Sequence, residues 1–392
     1  MWSGRLPADL SVNATTRTLQ ALAARGISVA DLTVSNPTRV GLHYPDDLLA
    51  PLASPSALVY EPHPRGLFAA REAVAREFAR RDLGVAPERI VLSASTSEAY
   101  AWLFKLLCDP GDNVLIPQPS YPLFEHLTVL ESVHARPYRL EYHGTWRIDT
   151  QDVRRRIDER TKAILVVSPN NPTGSFLHRD DLVTLDELCA ARNLMLIGDE
   201  VFADFPLDAA PHAASVLQAE NAVSCSLGGL SKSIGLPQAK LGWLAMNGPA
   251  RDVGAMLGAL EVIADTYLSV STPVQVAAAE LLERGADIRR QIQERLARNL
   301  RALRQAGAAA PEVSVLTVEG GWSATVQVPR YRSEEALVLE LLTAERALVH
   351  PGYFFDFERE AFIVLSLLVH PEIFERTIGR VLARASTWSV AS

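Results

Sequence analysis

Several things are scarce in this chain, and each scarcity narrows what it can be. Three cysteines occur in 392 residues, Cys108, Cys189 and Cys225. They are odd in number, far apart and set among apolar neighbours, so no disulfide framework is expected and all three read as reduced core residues. Basic residues form no block: 38 Lys and Arg against 46 Asp and Glu leave a formal charge of -8. Such a chain offers no footing to phosphate backbones or anionic lipid, so neither nucleic acid nor membrane is expected as a partner. The longest useful apolar run, AFIVLSLLV from Ala361, is about half of a membrane span. MWSGRLPADL at the amino terminus lacks the basic stretch and apolar core of a leader, and a cytoplasmic protein is expected. Missing too are G-x-G-x-x-G, a Walker-type loop, H-E-x-x-H, C-x-x-C and G-x-S-x-G, which argues against dinucleotide redox chemistry, nucleotide hydrolysis, zinc hydrolysis and serine hydrolysis.

What remains is an ordinary globular composition, 48% hydrophobic and 21% charged, long enough for about two or three domains. Short apolar runs end in turn residues: RIVLSAS, NVLIPQP, KAILVVSPNNP, LMLIGDE, AVSCSLGG and KLGWLAM. Each reads as a strand buried on both faces. Helix-like stretches lie between them, as at Ala99 to Cys108 and Asp180 to Arg192, and the alternation predicts an α/β fold with a mainly parallel sheet flanked by helices. Ligands should gather at the carboxyl ends of its strands. After Thr272 the texture changes to Ala, Leu, Arg and Glu at helical spacing, followed by strand-like runs in VSVLTVEGGWSATVQVP and at Phe362 to Val369. The expected division is an amino-terminal segment over residues 1–40, closing back over the body, a large domain over 41–272 and a smaller α+β domain over 273–392.

The stretch GGLSKSIGLPQAKLGW, residues 228–243, raises the chemical question. A lysine that acts as a nucleophile must shed a proton from a reference pKa of about 10.4, which a desolvated pocket promotes. Taken alone, Lys232 in a Ser/Gly-rich loop is a surface residue. Its surroundings decide otherwise. Ser231, Lys232, Gly235, Leu236, Lys240 and Gly242 match the pattern S-K-x-x-G-L-x-x-x-K/R-x-G, and from about Leu32 to about Phe374 the sequence resembles the class I/II aminotransferases among the fold-type I pyridoxal phosphate enzymes. In that family the lysine carries pyridoxal 5'-phosphate as a Schiff base. The resemblance implies the same role for Lys232.

Other motifs follow in the family's order. Asp199 in DEVFADF would hold the pyridine nitrogen protonated, making the ring an electron sink; read alone it is a helix cap. Asn171 in SPNNPTG would meet the phenolic oxygen, where a plain reading is an Asn-Pro turn. Ser95, Thr96 and Ser97 in LSASTSEAYAWLF open a helix whose amides attract an anion, and Ser95 with Glu98 also reads as a capping box. Lys240 supplies a phosphate cation where the family has arginine, a point charge without the bidentate fork. Tyr121 in PQPSYPLF is the stacking aromatic. Tyr60 in YEPHPRG resembles the tyrosine that reaches the neighbouring subunit's phosphate, which implies a homodimer with shared sites.

Four departures touch chemistry. Phe202 replaces a tyrosine and removes a hydrogen bond to the phenolic oxygen, so the Schiff base should hold its proton more tightly. Gly229 replaces a serine and removes a hydroxyl from the phosphate cup. The arginine that selects a second carboxylate in aspartate aminotransferases falls near Tyr267, so a dicarboxylic amino acid is not the expected specific substrate. In FIVLSLL, Val364 occupies the position of the arginine that clamps the substrate carboxylate. Arg39 in SNPTRVGLHYP is the expected replacement, with Asn36 beside it as a substrate contact; Arg39 reads equally as a surface ion pair. The implied function is exchange of an amino group between an amino acid and a 2-oxo acid in a ping-pong cycle, the amino acid apolar or aromatic if Tyr121, Phe202, Tyr267, Trp322 and Tyr353 line the pocket. The alternative is a lyase or cyclase using the same parts. A DNA-binding regulator built on this domain is not expected, because forty residues are few for such a module and their arginines form no basic face.

Overall fold

The computed structural model describes residues 3–7, 9, 11–208 and 212–387. A short strand, Ala30–Asp31 (β1), precedes the main sheet, which takes Ile90–Ser93 (β2), Asn113–Gln118 (β3), His134–Tyr142 (β4), Trp146–Ile148 (β5), Thr161–Val167 (β6), Met195–Asp199 (β7), Ser224–Gly229 (β8) and Gly242–Asn247 (β9). Their order is β2-β9-β8-β7-β6-β3-β4-β5. From β8 through β4 neighbouring strands are parallel, β9 runs antiparallel to both its neighbours, and β5 is antiparallel to β4. The six apolar runs are β2, β3, β6, β7, β8 and β9, and every residue of β8 is buried, as befits strands covered on both faces. One face packs on the helices Thr96–Leu107 and Ala250–Tyr267 through Trp102, Leu103, Leu257 and Leu260. The other packs on Arg179–Arg192 through Leu182, Leu185 and Leu188.

Two strands of this sheet escaped the sequence reading, β4 and β5. β4 is next to the edge, and β5 covers only its last three residues, Leu140–Tyr142, so the rest has an open side; it alternates only weakly between exposed and half-buried positions and contains Pro137. A strand with an open side needs no continuous apolar run and tolerates a proline, so the signal that marks the inner strands is absent.

The second sheet is built from Ser314–Val315 (β10), Ser323–Gln327 (β11), His350–Pro351 (β13) and Phe362–Ser366 (β14) in the order β10-β11-β14-β13, all antiparallel, while Ala347–Leu348 (β12) pairs in parallel with β1. Long helices Ala286–Ala308 and Pro371–Ser386 pack on this sheet through Ile292, Leu296, Leu300, Phe374 and Ile378. The amino-terminal segment is tied to it as well: Leu32 is fully buried, its amide donates to Leu348 O at 2.9 Å, and its carbonyl accepts from Ser366 N at 2.7 Å. Cys189 and Cys225 are buried, Cys108 is partly so, and all three are free thiols. Among the described residues no single helix is long and apolar enough to cross a membrane.

Candidate active site

The loop that follows β8 turns once as a helix, Leu230–Ser233, and carries Lys232. Two distant side chains clamp it. Arg289 donates from Nε to Ser233 O at 2.9 Å, and Tyr44 donates its hydroxyl to Gly235 O at 2.8 Å. Gly235 itself has φ +65°, and a Cβ there would come 3.0 Å from the Tyr44 hydroxyl, so the turn and the close approach both require glycine. Lys232 Nζ lies 5.0 Å from the Trp322 ring centroid and 5.6 Å from that of Phe202. Burial pushes its pKa down, with Asp199 opposing. That is the environment of an amine that can act as nucleophile or base.

Asp199 ends β7 and faces the same cavity. Tyr100, on the helix after β2, donates its hydroxyl to Asp199 Oδ2 at 2.9 Å, and Val201 N donates to Oδ1 at 3.3 Å. Burial holds the carboxyl above its usual range against these two donors and the field of Lys232, while Glu200 adds to the rise. A buried carboxylate with no contacting cation is costly, and a cationic ring nitrogen placed here would offset that cost. Asn171 also lines the cavity; its Oδ1 accepts from Ser323 Oγ at 3.1 Å, which leaves the donors of its amide available to a ligand.

At the opposite end the cavity meets the start of the helix Thr96–Leu107, capped by Ser95, whose Oγ accepts from Glu98 N at 3.2 Å. The carboxylate of Glu98 accepts from Ala94 N at 2.7 Å, one residue upstream of a standard capping box, and from Ser269 Oγ. Thr96, Ser97 and Ser231 bring hydroxyls to this wall and Lys240 brings an amine with no ion pair among the described residues. The floor is made by Gly242 and Gly229, which share one cross-strand row with the buried Ser93. A Cβ on Gly242 would lie 3.0 Å from the Ser95 backbone and 3.1 Å from Ser93 Oγ, so only glycine leaves the cradle open. Helix amides, unpaired hydroxyls and a lysine around an open floor fit a phosphate. The whole cavity is about 370 Å³. A phosphate at one end and the Asp199 carboxylate at the other match the two ends of a pyridoxal phosphate ring.

Of the residues singled out in the sequence, Lys232, Asp199, Asn171, Ser95, Thr96, Ser97, Lys240 and Tyr121 all line this cavity, as do Phe202, Trp322, Gly229 and Val364. Asn36 and Arg39 do not. The Asn36 side chain accepts from the amide and hydroxyl of Thr38, capping the short 3-10 turn Pro37–Arg39, and Arg39 is exposed beside a separate depression with His370 and Ile373. The amino-terminal segment does reach the cavity, three and one residues before Asn36, through Thr33 and Ser35. Tyr267 and Tyr353 also lie elsewhere: Tyr267 packs on Trp102 at 6.2 Å, and Phe354 and Phe355 line the wall in place of Tyr353. Tyr60, 68% exposed, sits outside the cavity of its own chain. Sequence reading missed Tyr100 and His350; a tyrosine inside an apolar helix stripe and a histidine before Pro-Gly carry no local sign of a site.

Comparison with known proteins agrees with this geometry. The model of the family "aminotransferase class I and II" matches residues 50–373. Glutamate-pyruvate aminotransferase AlaA of Escherichia coli (strain K12) is 30% identical over 259 residues, which cover 65% of this chain and 64% of that protein; the chain thus spans a little under two thirds of it. Alanine aminotransferase of Mycobacterium tuberculosis (strain ATCC 25618 / H37Rv) is 30% identical over 353 residues, 86% of this chain and 80% of that one. The solved alanine aminotransferase from Pyrococcus furiosus superposes with a TM-score of 0.87 at 24% identity, over 97% of this chain and 98% of that one, and shares the fold. With the family model matched over most of its length and the cavity at the expected strand ends, the chain belongs to the class I and II aminotransferases.

Proposed function

We propose that this protein is a pyridoxal phosphate-dependent aminotransferase that moves an amino group from an amino acid to a 2-oxo acid. The observation that carries the reading is the meeting of Lys232 and Asp199 in one cavity, both half-buried and each felt by the other. Family members use pyridoxal 5'-phosphate, which supplies an electron sink for the bond-breaking at the substrate α-carbon. In this chain Lys232 would hold it covalently, Asp199 would keep its ring nitrogen protonated, and Ser95, Thr96, Ser97, Ser231 and Lys240 would take its phosphate. Tyr121 would cover one ring face and Asn171 would meet the phenolic oxygen.

Lys232 then has a second task. Freed from the cofactor by the incoming amine, its desolvated nitrogen would act first as the general base for the substrate α-proton and then as the acid that hands that proton on. Phe202 and Trp322 keep water from that nitrogen. The donor would leave as a 2-oxo acid once water supplies its carbonyl oxygen, and its amino group would stay with the cofactor until a second 2-oxo acid collects it in the reverse sequence. The aromatic wall of Tyr121, Phe202, Trp322, Phe354 and Phe355 favours an apolar or aromatic-tolerant substrate. Alanine and pyruvate are the first pair to try, because the relatives are named for them.

The enzyme would act in the cytoplasm as a homodimer. Support comes from the apolar residues left on the surface, Leu58, Val59, Tyr60, Val262 and Leu268, with Tyr60 and Leu268 flanking one depression. The purified, cofactor-supplied protein should be yellow, and borohydride should tag the peptide containing Lys232. An amino acid should bleach the colour in a half-reaction, restored by a 2-oxo acid. Release of pyruvate or ammonia without a second oxo acid would identify elimination instead.

A further inference from the structure

Three side chains that can carry positive charge line the cavity: Lys232, Lys240 and His350. The first is reserved for covalent chemistry and the second sits with the phosphate-sized cradle. Among the described residues no arginine lines it. An amino-acid carboxylate entering this space therefore meets one remaining cationic candidate, His350.

Its placement is defined by the second sheet. In the antiparallel register Thr325 faces Val364 and Val364 faces His350, so the three side chains project in one row on the same sheet face. Thr325 is anchored by donating its hydroxyl to Pro172 O at 3.2 Å, next to Asn171. Val364 offers only methyl groups. His350 stacks on Phe354, centroids 4.9 Å apart and planes 2° from parallel, and meets Phe355 edge-on at 5.6 Å. The ring is thereby held in one orientation, and neither of its nitrogens has a hydrogen-bond partner among the described residues.

We propose that His350 receives the carboxylate of the amino-acid and oxo-acid substrates and takes up a proton from solvent as it does so. The proposal rests on the aminotransferase reading of the same cavity. Burial keeps the free imidazole below its usual pKa, with Asp31 from the amino-terminal segment opposing. The other charged groups lining the space are Lys232, Lys240 and Asp199, while β14 and the turn Gly352–Phe355 present the uncharged Val364, Phe354 and Phe355. An imidazole that is neutral when empty and cationic when occupied adds a charged hydrogen bond only when a carboxylate arrives.

Two variants of the cofactor-loaded protein test it. His350→Phe keeps an aromatic on Phe354 and removes both nitrogens; the half-saturating concentration of the best-converted amino acid should rise about ten- to a hundredfold, with the limiting half-reaction rate less affected. Wild-type half-saturation should worsen as pH rises through the histidine range, and that slope should vanish in the variant. His350→Gln, able to donate but not to charge, should fall between them and also lose the slope. Calorimetry with the deamino analogue of that amino acid, propionate for alanine or 3-phenylpropionate for phenylalanine, run in buffers of different ionisation enthalpy, should show about one proton taken up by wild type and none by either variant. A wild type that completes the half-reaction but takes up no proton, or a His350→Phe variant with unchanged half-saturation, overturns the role of His350. A wild type that converts no amino acid sinks the aminotransferase reading instead.

Discussion

Tyr100 donates its hydroxyl to Asp199 Oδ2 at 2.9 Å, although 99 positions separate them in the chain. The bond ties the helix that opens at the phosphate cradle to the carboxylate at the far end of the cavity. It also lowers the pKa of a carboxyl that burial raises, so Tyr100 is a positioning residue whose effect is electrostatic.

Tyr100→Phe should therefore slow the half-reaction about tenfold. Without the donor, Asp199 protonates more readily, so the acid limb of the rate profile should move to higher pH. A variant with wild-type rate and an unmoved acid limb would show the hydrogen bond to be structural decoration.

Asp199→Asn should separate activity from stability. A carboxyl whose folded pKa is raised contributes most to stability below its unfolded pKa, and the contribution is lost as pH rises through the folded value. At neutral pH the buried carboxylate thus works against the cofactor-free fold, and the amide should match or exceed the wild-type Tm, with the advantage shrinking in acid. Half-reaction rates should fall on the order of a hundredfold or more. A cofactor-free variant that melts well below wild type would contradict this.

Arg39→Ala is expected to leave the KM of every converted amino acid unchanged, since Arg39 is exposed and outside the cavity. An increase of about tenfold, comparable with that expected for a charged hydrogen bond, would mean that the amino-terminal segment rearranges when substrate binds.

Tyr60 lies outside its own cavity, and the dimer reading assigns it to the partner's site. Mixing Tyr60→Ala protein with Lys232→Ala protein, unfolding and refolding together, creates dimers in which one of the two sites has both residues. Activity above the mean of the separate parents is expected. Sedimentation showing a monomer, or no gain on mixing, counts against shared sites.

Much of the fold was readable in advance. The six inner strands announce themselves because a strand covered on both faces must be apolar throughout, and the segment around Lys232 carries the spacing of its chemistry in plain order. β4 did not, because most of its length has an open side, which relaxes the demand for apolar residues. Asn36 and Arg39 were misplaced for a different reason. Their motif lies next to the segment that does reach the cavity, but the side chain of Asn36 is spent on capping its own turn, and adjacency in sequence does not settle which way a short turn presents its residues.

Local chemistry thus decided the strands, the lysine turn and the helix that opens on Ser95, because hydrophobic period, glycine placement and capping act over a few neighbouring residues. The cavity's working contacts were decided at long range. Tyr100 meets Asp199 only once its helix packs on the sheet, and Gly242 slots between Ser93 and Gly229, and His350 stands beside Val364, only once separate strands pair in register. A shift of one residue in any of those pairings would turn each side chain to the opposite face, and nothing in a single stretch of sequence records which partner it will meet.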